Sequence, residues 1–302
     1  MEKPWDKLKN RYVSAASRRK YVHSLKIVAK DKKALAGFSI LLMYALTATI
    51  GPVIVPLDRM PHIEETFLPP SWEHLLGTDF AGRDTLSHIV HGSTSVLLTA
   101  VLTAIISVSV AITIGLVAGY IGGVVDGFLM GAANVILTIP SFPLILVLAT
   151  TLGSMMEQQL LLASVLSITA WAGLARSVRS QVLSIKESEF VDACRILGLG
   201  KTHIIFQEIL PNITPYVAIN ALFATVGAIY SQVGLYFIGA LPFTSANWGV
   251  MLNVAGERGA FWGVKTIYYY FAPIIAICLL DAGIILSISG IEKILNPRLR
   301  EE

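Results

Sequence analysis

Side chains able to do chemistry are sparse in this chain. Asp281 stands alone as an acid well inside an apolar stretch. A charge at that depth is costly, so it serves either a transport pathway or gate, or a hydrogen-bonded packing role between helices. His74, His88 and His91 gather in one polar region, the last two three apart. Without a helical HxxxH or a cysteine partner they form a weak metal set. Asp79, Arg83 and Asp84 are spaced for a local ion-pair and turn network, with contact to an outside partner as the alternative. No GxxxxGK[ST] stretch is present, so this chain is not expected to bind ATP. Neither a Ser-His-Asp set nor HExxH occurs, which argues against an intramembrane enzyme. Cys194 and Cys278, in a polar loop and an apolar segment, read as packing residues rather than a disulfide or metal pair.

The elements that position these residues are membrane helices. The 302 residues are 54% hydrophobic and only 14% charged, with a mean hydropathy of +0.67. Apolar runs able to cross roughly 30 Å of hydrocarbon recur along the chain. They are expected at about 34–55, 93–118, 124–153, 159–183, 213–240 and 266–289, six in all. The third is broken by Pro140 and Pro143, and a kinked helix packed inside the bundle is expected there. The basic, polar first 33 residues argue against a cleaved secretory signal.

Lys and Arg are unevenly distributed. Residues 1–33 carry eleven, and Arg176, Arg179, Lys186, Arg195, Lys201, Lys293, Arg298 and Arg300 fall on the same side. Only Arg59, Arg83, Arg258 and Lys265 fall on the other. The excess marks the cytoplasmic face, so both termini are expected inside, consistent with an even number of spans. The expected organisation is a basic cytoplasmic segment 1–33 lying on anionic lipid, a first span 34–55 and an extracytoplasmic loop 56–92. A membrane core 93–290 and a cytoplasmic tail 291–302 follow. Trp72, Trp248, Trp262 and Tyr268 to Tyr270 are expected at the outer interface. The frequent small residues, among them Gly115, Ala118, Gly119, Gly131, Gly173 and Gly227, read as helix-packing positions.

Between spans four and five lies the segment with the most organised polar pattern, Ser184 to Pro211. Glu187 and Glu189 favour a helix start near Ser188, by setting acids against the positive end of the helix dipole. The helix is expected to break at Gly198-Leu199-Gly200 and a second to run from Thr202 until Pro211 stops it. Two short helices at a glycine turn make a knob suited to a groove in a soluble partner. An amphipathic connector lying on the membrane is the alternative.

Asp192-Ala193-Cys194, Gly198 and Leu210-Pro211 resemble the "EAA…G…I-LP" loop of ABC-importer permeases, with Asp for the family's Glu and Cys for its second Ala. His74 to Ser87 (HLLGTDFAGRDTLS) is similar to the "HPLGTD..GRD.LS" signature of the dipeptide/oligopeptide branch. Gly122-Gly123 with Asp126 and Met130, Trp248-Gly249 with Met251-Leu252, and Asn296 to Arg300 resemble further collinear segments of that branch. Gly131, Asn134, Gln232 and Ser289 depart from it, standing where the branch usually has Arg, Asp, Glu and Asp. Positions 131 and 134, three apart on one helix face, suggest a charge pair lost as a unit.

The resemblance implies an all-α, polytopic bundle of about six transmembrane helices with the ABC importer permease (MetI-like) fold, in the inner membrane. It implies a permease subunit forming half of a pathway for oligopeptides, or related oligomers such as oligosaccharides; nickel is a further cargo of the branch. The alternative is an ion-driven secondary transporter. ATPase coupling falls to the loop 187–211, through Glu189, Asp192, Ala193, Cys194, Gly198, Leu210 and Pro211. Gln232, Asp281 and Asn134 are the candidates for translocation or gating. The implied partners are a homologous second permease, two ABC ATPase subunits, an extracytoplasmic solute-binding protein and the lipid bilayer, with no nucleic acid. This chain itself needs no cofactor, and ATP and Mg belong to the ATPases.

Overall fold

The computed structural model describes residues 31–243, 246–259 and 266–295. Regular structure among them is helical, apart from one isolated bridge between Thr78 and Asp84. In chain order the helices are α1 (Lys32–Thr49), α2 (Gly51–Ile54), α3 (Thr85–Ile121), α4 (Gly123–Thr138), α5 (Ser141–Leu152) and α6 (Gln159–Lys186). They continue with α7 (Glu189–Ile196), α8 (Lys201–His203), α9 (Leu210–Phe237), α10 (Trp248–Glu257) and α11 (Ile267–Leu295).

Among the described residues four stretches are individually long and apolar enough to cross a bilayer: α3, α6, the run Lys201–Phe237, and α11. A bent pair, Gly123–Thr138 with Ser141–Glu157, supplies a fifth crossing if its two arms count as one. The expected first span is the weakest. α1 opens on Lys32 and Lys33, ends at Thr49, and resumes only as the four-residue α2 with Pro52 at its start. α3 begins at Thr85 rather than near Ser93, because Asp84 caps it: the Ser87 amide donates to Asp84 Oδ2 at 2.8 Å. At 37 residues it is about 55 Å long, so its ends pass beyond the hydrocarbon.

The third region is corrected. Its two arms meet at 80°, and they lie on the outside of the chain rather than inside it. Only Ala133 of α4 and only Ile145 and Ala149 of α5 are buried. Pro140 forces Ile139 out of helical geometry, to φ −82° and ψ 126°, and that ends α4. Pro143 then falls in the first turn of α5, where a missing N–H costs no hydrogen bond.

Close backbone approach assembles the bundle. α3 and α6 run parallel, with Ser167 Oγ 3.3 Å from the Thr103 carbonyl. A Cβ placed at Gly115 would lie 2.6 Å from Val178 Cγ1, and one at Gly119 2.8 Å from Val182 Cβ. Two glycines four apart therefore let the backbones meet where lipid offers no hydrophobic drive. Gly131, Gly173 and Gly227 differ: nothing lies within 4 Å of a Cβ at any of them. α1 packs antiparallel on α11, where a Cβ at Gly37 would lie 2.4 Å from the Ser287 amide nitrogen. Asp31 closes the end of that pair, accepting from the Lys33 and Ala34 amides and, at 2.9 Å, from Lys293 Nζ.

The aromatic residues differ in burial within the chain. Trp72 and Tyr268 are exposed, whereas Trp248 and Tyr269 are buried in the core that α1, α3, α9, α10 and α11 share. Trp248 Nε1, at the start of α10, donates to the Ile89 carbonyl at 3.1 Å. Trp262, Lys265, residues 1–30 and the tail from Asn296 lie outside the described residues.

Candidate functional site

α7 and the run after it form an elbow at one end of the bundle. Ser188 has extended geometry, φ −80° and ψ 148°, and Glu189 and Asp192 occupy the first turn, as the dipole favours. Asp192 pairs with Arg195 at 2.7 Å, an i,i+3 bridge on the exposed face. α7 ends in a Schellman motif. The Gly198 amide donates to the Arg195 carbonyl at 3.0 Å and the Leu199 amide to the Cys194 carbonyl at 3.1 Å. Gly198 sits at φ +73°, a conformation that asks for glycine, and no atom lies within 4 Å of a Cβ placed there. Cys194 and Leu199, which such a cap brings together, both pack on one hydrophobic cluster. Cys194 is thus a packing residue and a free thiol.

Pro211 does not stop the second helix. Residues Ile204–Ile209 form a π-helical turn, in which the Leu210 amide donates to the Ile205 carbonyl, and α9 follows without a break. A proline ring clashes with the carbonyl four residues earlier, and the wider turn makes room for it. The second arm of the elbow is consequently one piece with the membrane helix: Lys201–Phe237 is a single 37-residue run.

Its inner face is apolar and fully packed. Val191, Ile204 and Ile209 are buried against Leu116 and Tyr120 of α3 and Val178 and Val182 of α6. Lys186 Nζ reaches the Tyr120 carbonyl at 2.7 Å, and Arg195 Nη2 the Lys186 carbonyl at 3.3 Å. The outer face carries unpartnered apolar residues: Ile196 is 87% exposed, Leu197 77%, Phe206 57% and Phe190 41%. With Glu189, Asp192, Ala193 and Arg195 beside them, they form a mixed apolar and charged ridge.

The three polar candidates in the spans are not brought together. Asp281 is 7% exposed; Tyr230 donates to its Oδ2 at 2.5 Å, and its Oδ1 has no partner among the described residues. Gln232 is fully buried and ties α9 to α3 through the Val96 carbonyl at 2.7 Å. Asn134 is exposed on α4 and accepts from Arg176 Nη2 at 2.5 Å. Position 134 therefore faces α6, and Gly131, three residues earlier, is exposed with nothing within 4 Å of a Cβ. One turn away, Arg179 grips Asp126 with two bonds of 2.5 Å each. Counting Arg176 and Arg179 only as topogenic charge missed both cross-helix contacts. Asp126 within an apolar helix was the available signal.

Away from the elbow, Asp79 is fully buried and builds the expected turn network. Its Oδ1 accepts the Ala81 and Arg83 amides at 2.7 and 2.9 Å, and its Oδ2 meets Arg83 Nη2 at 2.6 Å. His74 Nδ1 lies 3.1 Å from Asp84 Oδ1 and His91 Nε2 2.9 Å from the Val55 carbonyl, so the histidines serve separate contacts.

Residues 111–301 match the family described as binding-protein-dependent transport system inner membrane component. The dipeptide transport system permease protein DppC of Bacillus subtilis (strain 168) is 31% identical over 278 residues, covering 90% of this chain and 83% of its own length. The metal-staphylopine import system permease protein CntC of Staphylococcus aureus (strain NCTC 8325 / PS 47) is 33% identical over 278 residues, 91% of this chain and 93% of that one. A putative peptide permease protein of Brucella suis biovar 1 (strain 1330) is 34% identical over 187 residues, and the match spans 61% of that relative's length.

Proposed function

This chain belongs to the family of binding-protein-dependent transport system inner membrane components, and we propose that it is the permease subunit forming half of a peptide pathway. It is a transport component, not an enzyme. In this reading a homologous second permease completes the path, an external solute-binding protein delivers the cargo, and two ABC ATPases drive the cycle. Each ATPase grips one elbow. The observation that carries the reading is the continuity of the elbow's second arm with α9. A push on Phe206 reaches the membrane helix through a π turn with no loop between them, and one on Phe190, Ile196 and Leu197 is handed on across the capped Gly198 turn. It reaches α3 and α6 through the packed inner face. Glu189, Asp192, Ala193, Cys194, Gly198, Leu210 and Pro211 thus shape, cap or extend the elbow, and the exposed ridge makes the contact.

Peptides are favoured as cargo because relatives matched over nine-tenths of the chain carry dipeptide and oligopeptide transport in their names. Oligosaccharides have no such support. A metal-bearing small ligand is the second reading, on the strength of the staphylopine system permease. Asp281 and Asn134 remain candidates for contacts that change during the cycle, and Gln232 for a link holding α9 to α3.

The elbow and both termini lie on the cytoplasmic side in this proposal. Labelling of Cys194 in a Cys278→Ser background tests it with a membrane-impermeant thiol reagent. Reaction in inverted vesicles but not in intact cells is expected. Reaction in intact cells overturns the assignment.

A further inference from the structure

We propose that Arg176 anchors a binding site for an oxyanion, a carboxylate or phosphate group, on the outer face of the α4–α6 pair. A cavity of about 480 Å³ there is lined by Met130, Asn134, Arg176 and Arg179. Its two guanidiniums differ in circumstance. Arg179 is neutralised by Asp126, which it holds through two bonds. Arg176 is exposed and donates at 2.5 Å to Asn134 Oδ1, a neutral acceptor. Among the described residues no carboxylate lies within ion-pair distance of it. The cavity therefore holds two positive charges against one negative, and the surplus sits on Arg176.

A guanidinium carries a fork of N–H donors, and the single bond to Asn134 leaves most of them free to grip a planar or tetrahedral oxyanion. Gly131 and Gly173 lie one turn from Asn134 and Arg176 on their helices, and nothing stands within 4 Å of a Cβ at either. Arg176 is ten residues before Lys186, so about 15 Å along α6 from the elbow end. That depth is within reach of a lipid headgroup phosphate, which basic pockets between membrane helices attract. It is equally open to the carboxylate of a passing solute, and an uncompensated charge in a span calls for one or the other. The site stands whichever solute the importer carries, and independently of the side on which the elbow lies.

The test uses the intact transport complex in nanodiscs, read by native mass spectrometry. The probes are phosphatidylglycerol against a phosphatidylcholine background, and trialanine against trialanine amide. The variants are Arg176→Gln, which removes the donor, and Asn134→Asp, which leaves Arg176 in place and gives it a carboxylate within the chain. Wild type is expected to retain one anionic ligand about tenfold or more tightly than either variant, as loss of a charge-assisted contact implies. Retained phosphatidylglycerol identifies a headgroup site. Retained trialanine with no retention of its amide identifies a solute carboxylate. Equal retention of every probe by wild type and Asn134→Asp overturns the proposal and points instead to an acidic side chain of a neighbouring subunit.

Discussion

Replacing Gly198 by asparagine, alanine and proline separates backbone conformation from bulk at the elbow. Gly198 holds φ +73°, and no atom lies within 4 Å of a Cβ there, so alanine meets no steric obstacle. Its whole cost is that of an L-residue in left-handed geometry, about 1–2 kcal/mol. At roughly 1.4 kcal/mol per factor of ten, that lowers the population of the correctly capped elbow about 5- to 30-fold relative to its uncapped form. Asparagine tolerates this region and should cost much less. Proline cannot adopt a positive φ and also removes the N–H that reaches the Arg195 carbonyl at 3.0 Å, so its cost should exceed about 3 kcal/mol. Uptake and ATP hydrolysis by the complex in proteoliposomes give the readout as ATP consumed per solute imported. The expected order of coupling is glycine and asparagine, then alanine, then proline, with membrane insertion unchanged throughout. Wild-type coupling in both the alanine and proline variants would refute the docking role. Asparagine behaving as badly as proline would refute the conformational argument, because size would then matter more than φ.

The Asp31 carboxyl lies below its ordinary value of 3.8, chiefly through the hydrogen bond from Lys293 and then that from the Ala34 amide. Stabilisation from a depressed carboxyl is complete above the unfolded value and is lost as pH falls through the folded one. The junction of α1 and α11 should thus be pH-independent from 8 to about 5 and loosen only below about 4; thermal unfolding of the complex across that range, with Asp31→Asn as the variant lacking the acid step, checks it. Tyr230→Phe removes the donor to Asp281 Oδ2 and leaves neither carboxyl oxygen with a partner, at a cost of about 1–3 kcal/mol. Asp281→Asn in the same background should restore part of the lost thermal stability, and a double variant as unstable as Tyr230→Phe alone would count against the pairing.

The sequence alone carried the general architecture. Mean hydropathy, the apolar runs and the spacing of Asp192-Ala193-Cys194 to Gly198 and Leu210-Pro211 sufficed for a helical membrane protein with an elbow after α6. These are local properties: chain length against bilayer thickness, a dipole that favours early acids, a glycine needed at positive φ. Pro140 was legible as a break for the same reason, since its lost N–H and its effect on Ile139 act within a few residues.

What the tertiary structure decided depends on neighbours distant in sequence. Gly115 and Gly131 look alike in the chain, yet Val178 fills the space beside one while the other faces outward. Trp248 sits fully buried against Ile89, because α10 folds back onto α3 and α9. Asp281 was visible as an acid within an apolar helix and Arg176 as topogenic charge, but their partners, Tyr230 and Asn134, lie 51 and 42 positions away. Pro211 was read as a helix stop on local grounds, whereas the π turn lets the chain run through it as one helix packed against α3 and α6. Hydropathy and turn chemistry are summed along the chain; pairing of charges and contact of backbones are settled only when helices meet.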